Sequence, residues 1–560
     1  MHWIVSRVTG TMRRMRGLMQ DVPLTIDTIF RHAEQHHGDV PIITDGPGGR
    51  TRSTYAEWAQ RTRRLGGVFD TLGISADGRI GTFGWNSQRH LELYFAGPCS
   101  GRVVHTLNIR LFPDQLVYVA NHAEDDVVFV DRSLLPLFLP LRDRLPTVRH
   151  VIVIDDGAEH PVPEGVLDYE ELLAGATPFD GRFAVDDEHR AAAMCYSSGT
   201  TGNPKGVVYS HRSTLLHSLI TTTVDGLGIA ERDVLMPVVP MFHANAWGLP
   251  YGALLAGSSF VFPGPNMTPQ AIVALLARHR VTVTAGVPTI WMGMLPLLKD
   301  HDLSALQRVI CGGSAVPRSL SEAYRAAIGL PILHAWGMTE TSPIATVSGR
   351  RSQYDDADED TRADARARQG WPVPLVELRV VDPDTGEPQP WDDRASGEIQ
   401  AAGPWCAAEY YRGEGGGTQF TDDGWLRTGD VAAFDRSGSV RLVDRTKDLV
   451  KSGGEWISSV ELENALMAHP KVVEAAVIGV PHERWVERPL ACVVVEPGES
   501  LTPEEVRAHL EPLVPRWWLP DAVEFIDEVP KTSVGKFSKR TLRDKFAGYE
   551  LPEVDPAGRV

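Results

Sequence analysis

The residues best equipped for chemistry fall in five short segments. Tyr196-Ser197-Ser198-Gly199-Thr200-Thr201-Gly202-Asn203-Pro204-Lys205-Gly206 gathers hydroxyls and glycines ahead of one lysine. Small residues let backbone N–H groups converge on phosphate oxygens, and the lysine adds a point charge. The spacing is not that of a Walker A loop, because Pro204 stands where the second glycine belongs and Gly206 follows Lys205. Trp336-Gly337-Met338-Thr339-Glu340 sets an aromatic face, a hydroxyl and a carboxylate in succession. That set suits base stacking, a phosphate contact and a Mg2+ ligand, although taken singly it reads equally as a strand end with a buried Trp. Asp430, closing Trp425–Asp430, offers a carboxylate to ribose hydroxyls or simply follows a β-turn. Asp444-Arg445-Thr446-Lys447-Asp448, running on to Ser452-Gly453-Gly454, is a charged junction, and a glycine turn near the C-terminus presents Lys536.

These segments need a scaffold, and the periodicity supplies one. Thr54 and Glu57 form a capping box ahead of a helix carrying Trp58, Leu65, Val68, Phe69 and Leu72. Arg79–Phe83, Arg102–His105 and Asp126–Val130 read as strands, with helices over Gln88–Ala96 and Asp114–Asn121 between them. The alternation returns through Ile272–Arg280, Val281–Ala285, Arg308–Cys311 and Ser321–Ala327. Repeated strand–helix–strand order predicts parallel sheets covered by helices, an α/β fold. The hydroxyl-rich loop is expected between the apolar Ala191–Cys195 and a helix beginning near Ser210. Asp355–Asp360 with Thr361–Arg368 reads as a solvated surface loop. Beyond Gly370 short strands with turns predict a smaller β-rich subdomain, and from residues 444–450 onward a new helix and strand set predicts a second domain.

Composition narrows the function classes. The chain has 560 residues, enough for several cores, and a formal net charge of −18, which disfavours nucleic acid as a partner. Five widely separated cysteines without a CxxC pair argue against a disulfide framework or zinc ribbon and for a reducing compartment. The longest apolar runs are too short to span a bilayer, so a cytoplasmic protein without a transmembrane segment is expected. Residues 1–20 mix Arg7, Arg13, Arg14 and Arg16 with apolar residues near helical spacing. This stretch is compatible with peripheral membrane contact or with a frayed extension whose Met12, Met15 and Met19 could each begin the chain.

Five motifs in this order, over residues 25–547, resemble the adenylate-forming superfamily of acyl-CoA synthetases, luciferases and peptide-synthetase adenylation domains. The resemblance implies a large N-terminal domain of two parallel-sheet/helix subdomains plus a distorted β-barrel, hinged to a small α+β C-terminal domain. The divisions expected are an extension at 1–24, the AMP-binding domain at 25–446, a mobile domain at 447–547 and a tail at 548–560. Ser197–Gly206 then resembles the phosphate loop, with Ser197, Ser198, Gly199, Thr200, Thr201, Gly202 and Lys205 around ATP. Thr339 resembles the phosphate contact, Glu340 with Thr201 the Mg2+ site, and Asp430 and Arg445 the ribose anchors. Gly313 and Ser314 resemble the adenine-side loop beside Trp336 and Gly337, Lys447 the hinge, Lys536 the lysine of adenylation, and Ser452, Gly453 and Gly454 the CoA-side loop. Trp336 departs from the Tyr of many members, which leaves its edge contacts in question.

On the acyl side, Met241-Phe242-His243-Ala244-Asn245-Ala246-Trp247 resembles the segment in which a tryptophan gates the acyl tunnel of fatty-acyl-CoA synthetases. His243 and Trp247 are the candidate pocket and gate residues, and Trp247 is otherwise a core aromatic. Amino-acid-activating members carry an Asp here; this chain offers Phe242-His243, so an apolar acid fits better. The expected activity is ATP- and Mg2+-dependent ligation of a medium- or long-chain fatty acid to CoA through acyl-AMP. The alternatives are loading of a carrier protein and a CoA ligase for a short, aromatic or sterol-derived acid. Related fatty-acyl members include dimers, so a homodimer is compatible. A serine hydrolase lacks support, since Gly312-Gly313-Ser314-Ala315-Val316 breaks GxSxG at its last position. His32, His36 and His37 have metal-compatible spacing without a matching partner motif and read as a helix face.

Overall fold

A computed structural model describes residues 17–552 except 47–48, 180–182, 184, 198–202, 384, 414–416, 454 and 533–535. Two large sheets dominate. In one, strands Arg79–Phe83, Val103–Thr106, Asp125–Asp131 and His150–Ile154 run parallel, and Val103–Thr106 pairs with Ala191–Tyr196. In the other, Ile332–Gly337, Arg308–Cys311, Val283–Gly286, Val234–Pro237 and Ser259–Phe262 run parallel in that order. The hairpin Pro41–Gly46/Gly49–Thr54 joins this second sheet beside Ser259–Phe262, although the chain next builds the first. Helices cover both faces, as parallel strands require.

Local signals set the elements. Thr54 accepts from the Glu57 amide while the Glu57 side chain accepts from Thr54 N–H at 2.8 Å, so the capping box opens a helix over Tyr55–Thr71. Trp58, Leu65, Val68 and Phe69 on that helix are buried. One apolar core runs from Phe30 and Trp58 through Tyr251 and Trp247 to Trp336 and Phe434, joining both sheets to the β-rich part.

Three expectations change. Where a distorted barrel was expected, the described residues form a four-stranded antiparallel sheet, Glu377–Val381, Ser396–Ala402, Leu426–Phe434 and Val440–Arg445, whose outer strands do not pair with each other. Residues Glu359–Ala367 are a helix, not a loop. Asp358 caps it through the Thr361 amide at 2.8 Å, and Arg366 and Asp364 tie it to Glu322 and Arg318 of the neighbouring helix. Its charges fix it by pairing, a signal an apolar period cannot report. Lastly, Gly206–Ser210 is an unexpected strand antiparallel to Ala191–Tyr196, while the helix His211–Thr222 begins where expected, capped by Ser210.

The C-terminal part has its own cores. Val450, Ile457, Leu462, Val477, Val493 and Leu510 pack on one face of a five-stranded sheet, and Ile478, Leu490, Val529 and Leu542 form the second cluster. Among the described residues, no helix is long and apolar enough to cross a membrane.

Candidate active site

A cavity of about 470 Å³ opens where the C-terminal ends of both parallel sheets meet the four-stranded sheet and the small domain. Ligand sites of α/β sheets lie at this edge because the strand ends there release loops toward one crevice. The strand Ile332–Gly337 ends at the cavity wall and passes into a tight turn holding Thr339 and Glu340. Gly337 is required: a Cβ there would lie 1.6 Å from the Pro343 carbonyl oxygen. Tyr209 O–H donates to the Thr339 carbonyl at 2.7 Å, and the Ala407 amide donates to the Glu340 carbonyl at 2.7 Å. Tyr410 O–H donates to Glu340 Oε1 at 2.7 Å, while its ring lies 4.8 Å from Lys205 Nζ. Burial raises the Glu340 pKa, and the Tyr410 hydrogen bond works against that rise. A buried, oriented carboxylate facing a polar cavity is a hard oxygen donor of the type Mg2+ takes, so this residue set fits the ion.

Lys536 enters from the small domain. Its Cε would lie 3.0 Å from a Cβ on Gly313, whose φ of +85° is itself a glycine conformation. Burial and, next, the Arg445 charge push the Lys536 pKa down to about 8. Burial, with help from Lys536, pushes His243 down to about 3, so His243 is a neutral wall residue. Lys447, also lining the cavity, is lowered to about 8 by burial.

The acyl-side segment is less regular than its sequence suggests. Ala244, Asn245, Ala246 and Trp247 all have positive φ, from 43° to 59°, and Gly248 follows at 70°. A left-handed turn of L-residues costs roughly 1–2 kcal/mol per residue, so surrounding contacts must hold it. Asn245 Oδ1 accepts from Cys195 Sγ at 3.1 Å and from Thr106 at 3.3 Å, and Asn86 accepts from the Met241 amide at 2.7 Å. The turn directs Trp247 to the cavity, with its ring edge 3.3 Å from where a Gly312 Cβ would lie.

The structure thus gathers Ser197, Lys205, His243 and Trp247 with Gly313, Trp336, Gly337, Thr339 and Glu340 around one cavity, together with Arg445, Lys447 and Lys536. Asp430 adjoins this wall beside the lining residues Gly429, Trp336 and Arg445, accepting from Trp336 Nε1–H at 2.9 Å and paired with Arg445 at 3.2 Å. Ser314 and Gly453 are exposed and outside the lining, and Ser452 is buried and also outside it. Ser452 instead accepts from Arg488 at 2.8 Å, and the Gly453 amide donates to the Trp485 carbonyl at 2.8 Å. Ser198, Gly199, Thr200, Thr201, Gly202 and Gly454 lie outside the described residues, as do residues 1–16. Tyr209, Tyr410 and Asn245 escaped the sequence reading. Only the hydroxyl aromatics of Tyr410-Tyr411 beside Arg412 hinted at one of them. His32 lies 5.0 Å from His36 and 5.2 Å from His37, ring to ring. Among the described residues, no group of three or more His, Cys, Asp or Glu is arranged to hold a metal ion.

Residues 29–411 match the AMP-binding enzyme family, and residues 461–536 match the AMP-binding enzyme C-terminal domain. The chain belongs to the AMP-binding enzymes. It is 49% identical, over 96% of its length and 98% of the relative's, to a long-chain-fatty-acid–CoA ligase of Thermus thermophilus. It is 43% identical to a 3-methylmercaptopropionyl-CoA ligase of Ruegeria lacuscaerulensis, over 95% of this chain and 99% of the relative. Among solved structures it is similar to the anthranilate CoA ligase AuaEII in complex with anthranoyl-AMP, with TM-score 0.83 and 25% identity over 94% of this chain and 98% of that one.

Proposed function

We propose that this enzyme is an AMP-forming acid–thiol ligase that joins an apolar carboxylic acid, a medium- or long-chain fatty acid, to CoA. The observation that carries this reading is the approach of Lys536 to one cavity that also holds Thr339, Glu340, Arg445 and the apolar face of Trp247. Near-full-length identity to a fatty-acid ligase supports the substrate class.

In the first half-reaction the carboxylate oxygen attacks the α-phosphorus of ATP, the bond to the β-phosphate oxygen breaks, and pyrophosphate leaves. Both reactants are anionic, so the protein must offset charge as they meet. Lys536 and Lys205 supply ammonium groups, and Arg445 adds a guanidinium near the nucleotide. Thr339 positions phosphate oxygens without exchanging protons. Glu340 would hold Mg2+ with Thr201, and the bound ion neutralises phosphate charge. Trp336 offers its face to adenine, and Asp430 and Arg445 meet the ribose. In the second half-reaction the small domain, residues 447–547, turns about Lys447. That motion withdraws Lys536 and brings Ser452–Gly454 to the acyl group; the CoA sulfur attacks the acyl carbon, and AMP leaves. We infer a cytoplasmic setting from the five free thiols.

The relative acting on 3-methylmercaptopropionate favours one second reading, a short-acid ligase. The test is AMP and pyrophosphate release with Mg·ATP over acids from acetate and 3-methylmercaptopropionate to oleate, with and without CoA. CoA-dependent AMP release peaking at medium or long chains supports the proposal. A peak at short acids selects the second reading, and pyrophosphate release without CoA-dependent turnover points to a carrier-loading adenylase.

A further inference from the structure

Trp336 does more than offer a ring face. Its indole Nε1–H donates to Asp430 Oδ2 at 2.9 Å across 94 positions of sequence, from the end of a parallel strand to the four-stranded sheet. Both residues are buried, at 6% and 7% exposure. The other carboxylate oxygen is paired with Arg445 Nε at 3.2 Å, and Asp430 and Arg445 are opposite partners on neighbouring antiparallel strands. The Asp430 amide is itself fixed, donating to Thr428 Oγ1 at 3.2 Å. Of the three side chains, Trp336 and Arg445 line the cavity and Asp430 does not.

A carboxylate has about four acceptor positions on its two oxygens. Here the indole hydrogen bond takes one on Oδ2, while the Arg445 guanidinium is ion-paired with Oδ1. A hydrogen bond and an ion pair from separate elements restrict a group whose terminal torsion is otherwise broad. A phenylalanine at 336 would keep an aromatic face for a base and lose the donor; a buried Asp430 would be released on one side.

We infer that Trp336 is a positioning residue for sugar recognition: through its indole N–H it orients Asp430, so that discrimination between ribose and deoxyribose nucleotides in this enzyme depends on Trp336 as well as on Asp430. This rests on the reading above that Asp430 meets the ribose.

The test compares kcat/KM for ATP, 2′-deoxyATP and 3′-deoxyATP in wild type, Trp336→Phe, Asp430→Asn and the double variant, with GTP as a control for base selectivity. The expected result is that Trp336→Phe lowers the preference for ATP over the deoxynucleotide by roughly ten-fold, the scale of one hydrogen bond to a charged group. ATP-over-GTP preference stays near wild type. Asp430→Asn lowers the same ratio, and the double variant falls no further, because both changes act through one carboxylate. Unchanged sugar discrimination in Trp336→Phe overturns the inference, as does a double variant whose loss is the product of the single losses. Asp430→Asn with wild-type discrimination overturns the ribose reading beneath it. Wild type that releases no AMP from ATP with any acid overturns the proposed function itself.

Discussion

A lysine with a pKa pushed down to about 8 loses its charge across the mildly alkaline range, and Lys536 is such a lysine. Burial, its largest cause, disfavours the ammonium; a bound triphosphate would favour it. In kcat/KM for ATP, which reports the free enzyme, an alkaline limb near pH 8 is expected. Lys447 shares that value, so the variants separate them: Lys447→Ala keeps the limb, and the residual activity of Lys536→Ala lacks it. Lys536→Ala should slow acid-dependent pyrophosphate exchange by roughly 10²–10³, as losing one preorganised donor does. Conversion of supplied acyl-AMP and CoA should survive, and equal loss of both would count against the alternating arrangement. Gly337 is a second residue-scale case. With 1.6 Å between a new Cβ and the Pro343 carbonyl, Gly337→Ala must displace Thr339 and Glu340. Misplacement by about 1 Å costs on the order of 10²-fold, readable as loss of adenylation in protein that still unfolds cooperatively.

At the scale of elements, the junction after Val440–Arg445 is held on both sides. Thr446 N–H donates to the Gly429 carbonyl at 3.0 Å, and Arg543, from the helix Lys539–Lys545, pairs with Asp448 and donates to the Lys447 carbonyl at 3.2 Å. The helix that follows Lys536 is therefore tied to the segment about which the small domain is proposed to turn. Lys447→Pro fixes φ where rotation is needed; thioester formation from acyl-AMP should fall more than pyrophosphate exchange, as single-turnover measurements of each step would read. The elements themselves were largely legible, because apolar period and caps are local: Arg79–Phe83 and Arg308–Cys311 are strands with the bounds their residues predict. Glu359–Ala367 was not legible, since its order comes from Arg318, Glu322 and Arg366 meeting across two helices.

For the whole molecule, buried titratable groups set the response to acid. His90, His211 and His334 are lowered to about 4, and His217 and His243 to about 3, all chiefly by burial. The unfolded chain protonates these histidines near pH 6.5, while the folded chain does not until far lower pH. Their neutral burial therefore costs stability progressively as pH falls through 6.5 toward 4. Asp131, raised to about 8, and Glu463, raised to about 7, act in the opposite direction over the same range, because their folded forms hold protons the unfolded chain gives up. Burial also raises Asp125, Glu340 and Glu461, which act with these two, and lowers His32, His150 and His469, which act with the other histidines; eight groups against five predicts net loss. Denaturant midpoints measured from pH 7 to pH 4 should fall steadily, and a flat or rising midpoint would contradict these burials.

The sequence by itself determined the class of fold and the order of the chemical segments, because helix caps, apolar periods and dense Ser/Thr/Gly loops are local signals; Lys205, Thr339, Glu340, Arg445 and Lys536 were singled out by the resemblance those segments carry in combination. Tertiary structure decided what lies far apart in the chain. It set Tyr410 between Glu340 and Lys205, placed Asp430 beside the cavity wall on the Trp336 indole, and wound Ala244–Trp247 left-handed under the grip of Asn245, Cys195 and Thr106. Each of these depends on hydrogen bonds or contacts between side chains from 50 to 205 positions apart, for which no local pattern exists; only the packing of two sheets against a third makes them neighbours.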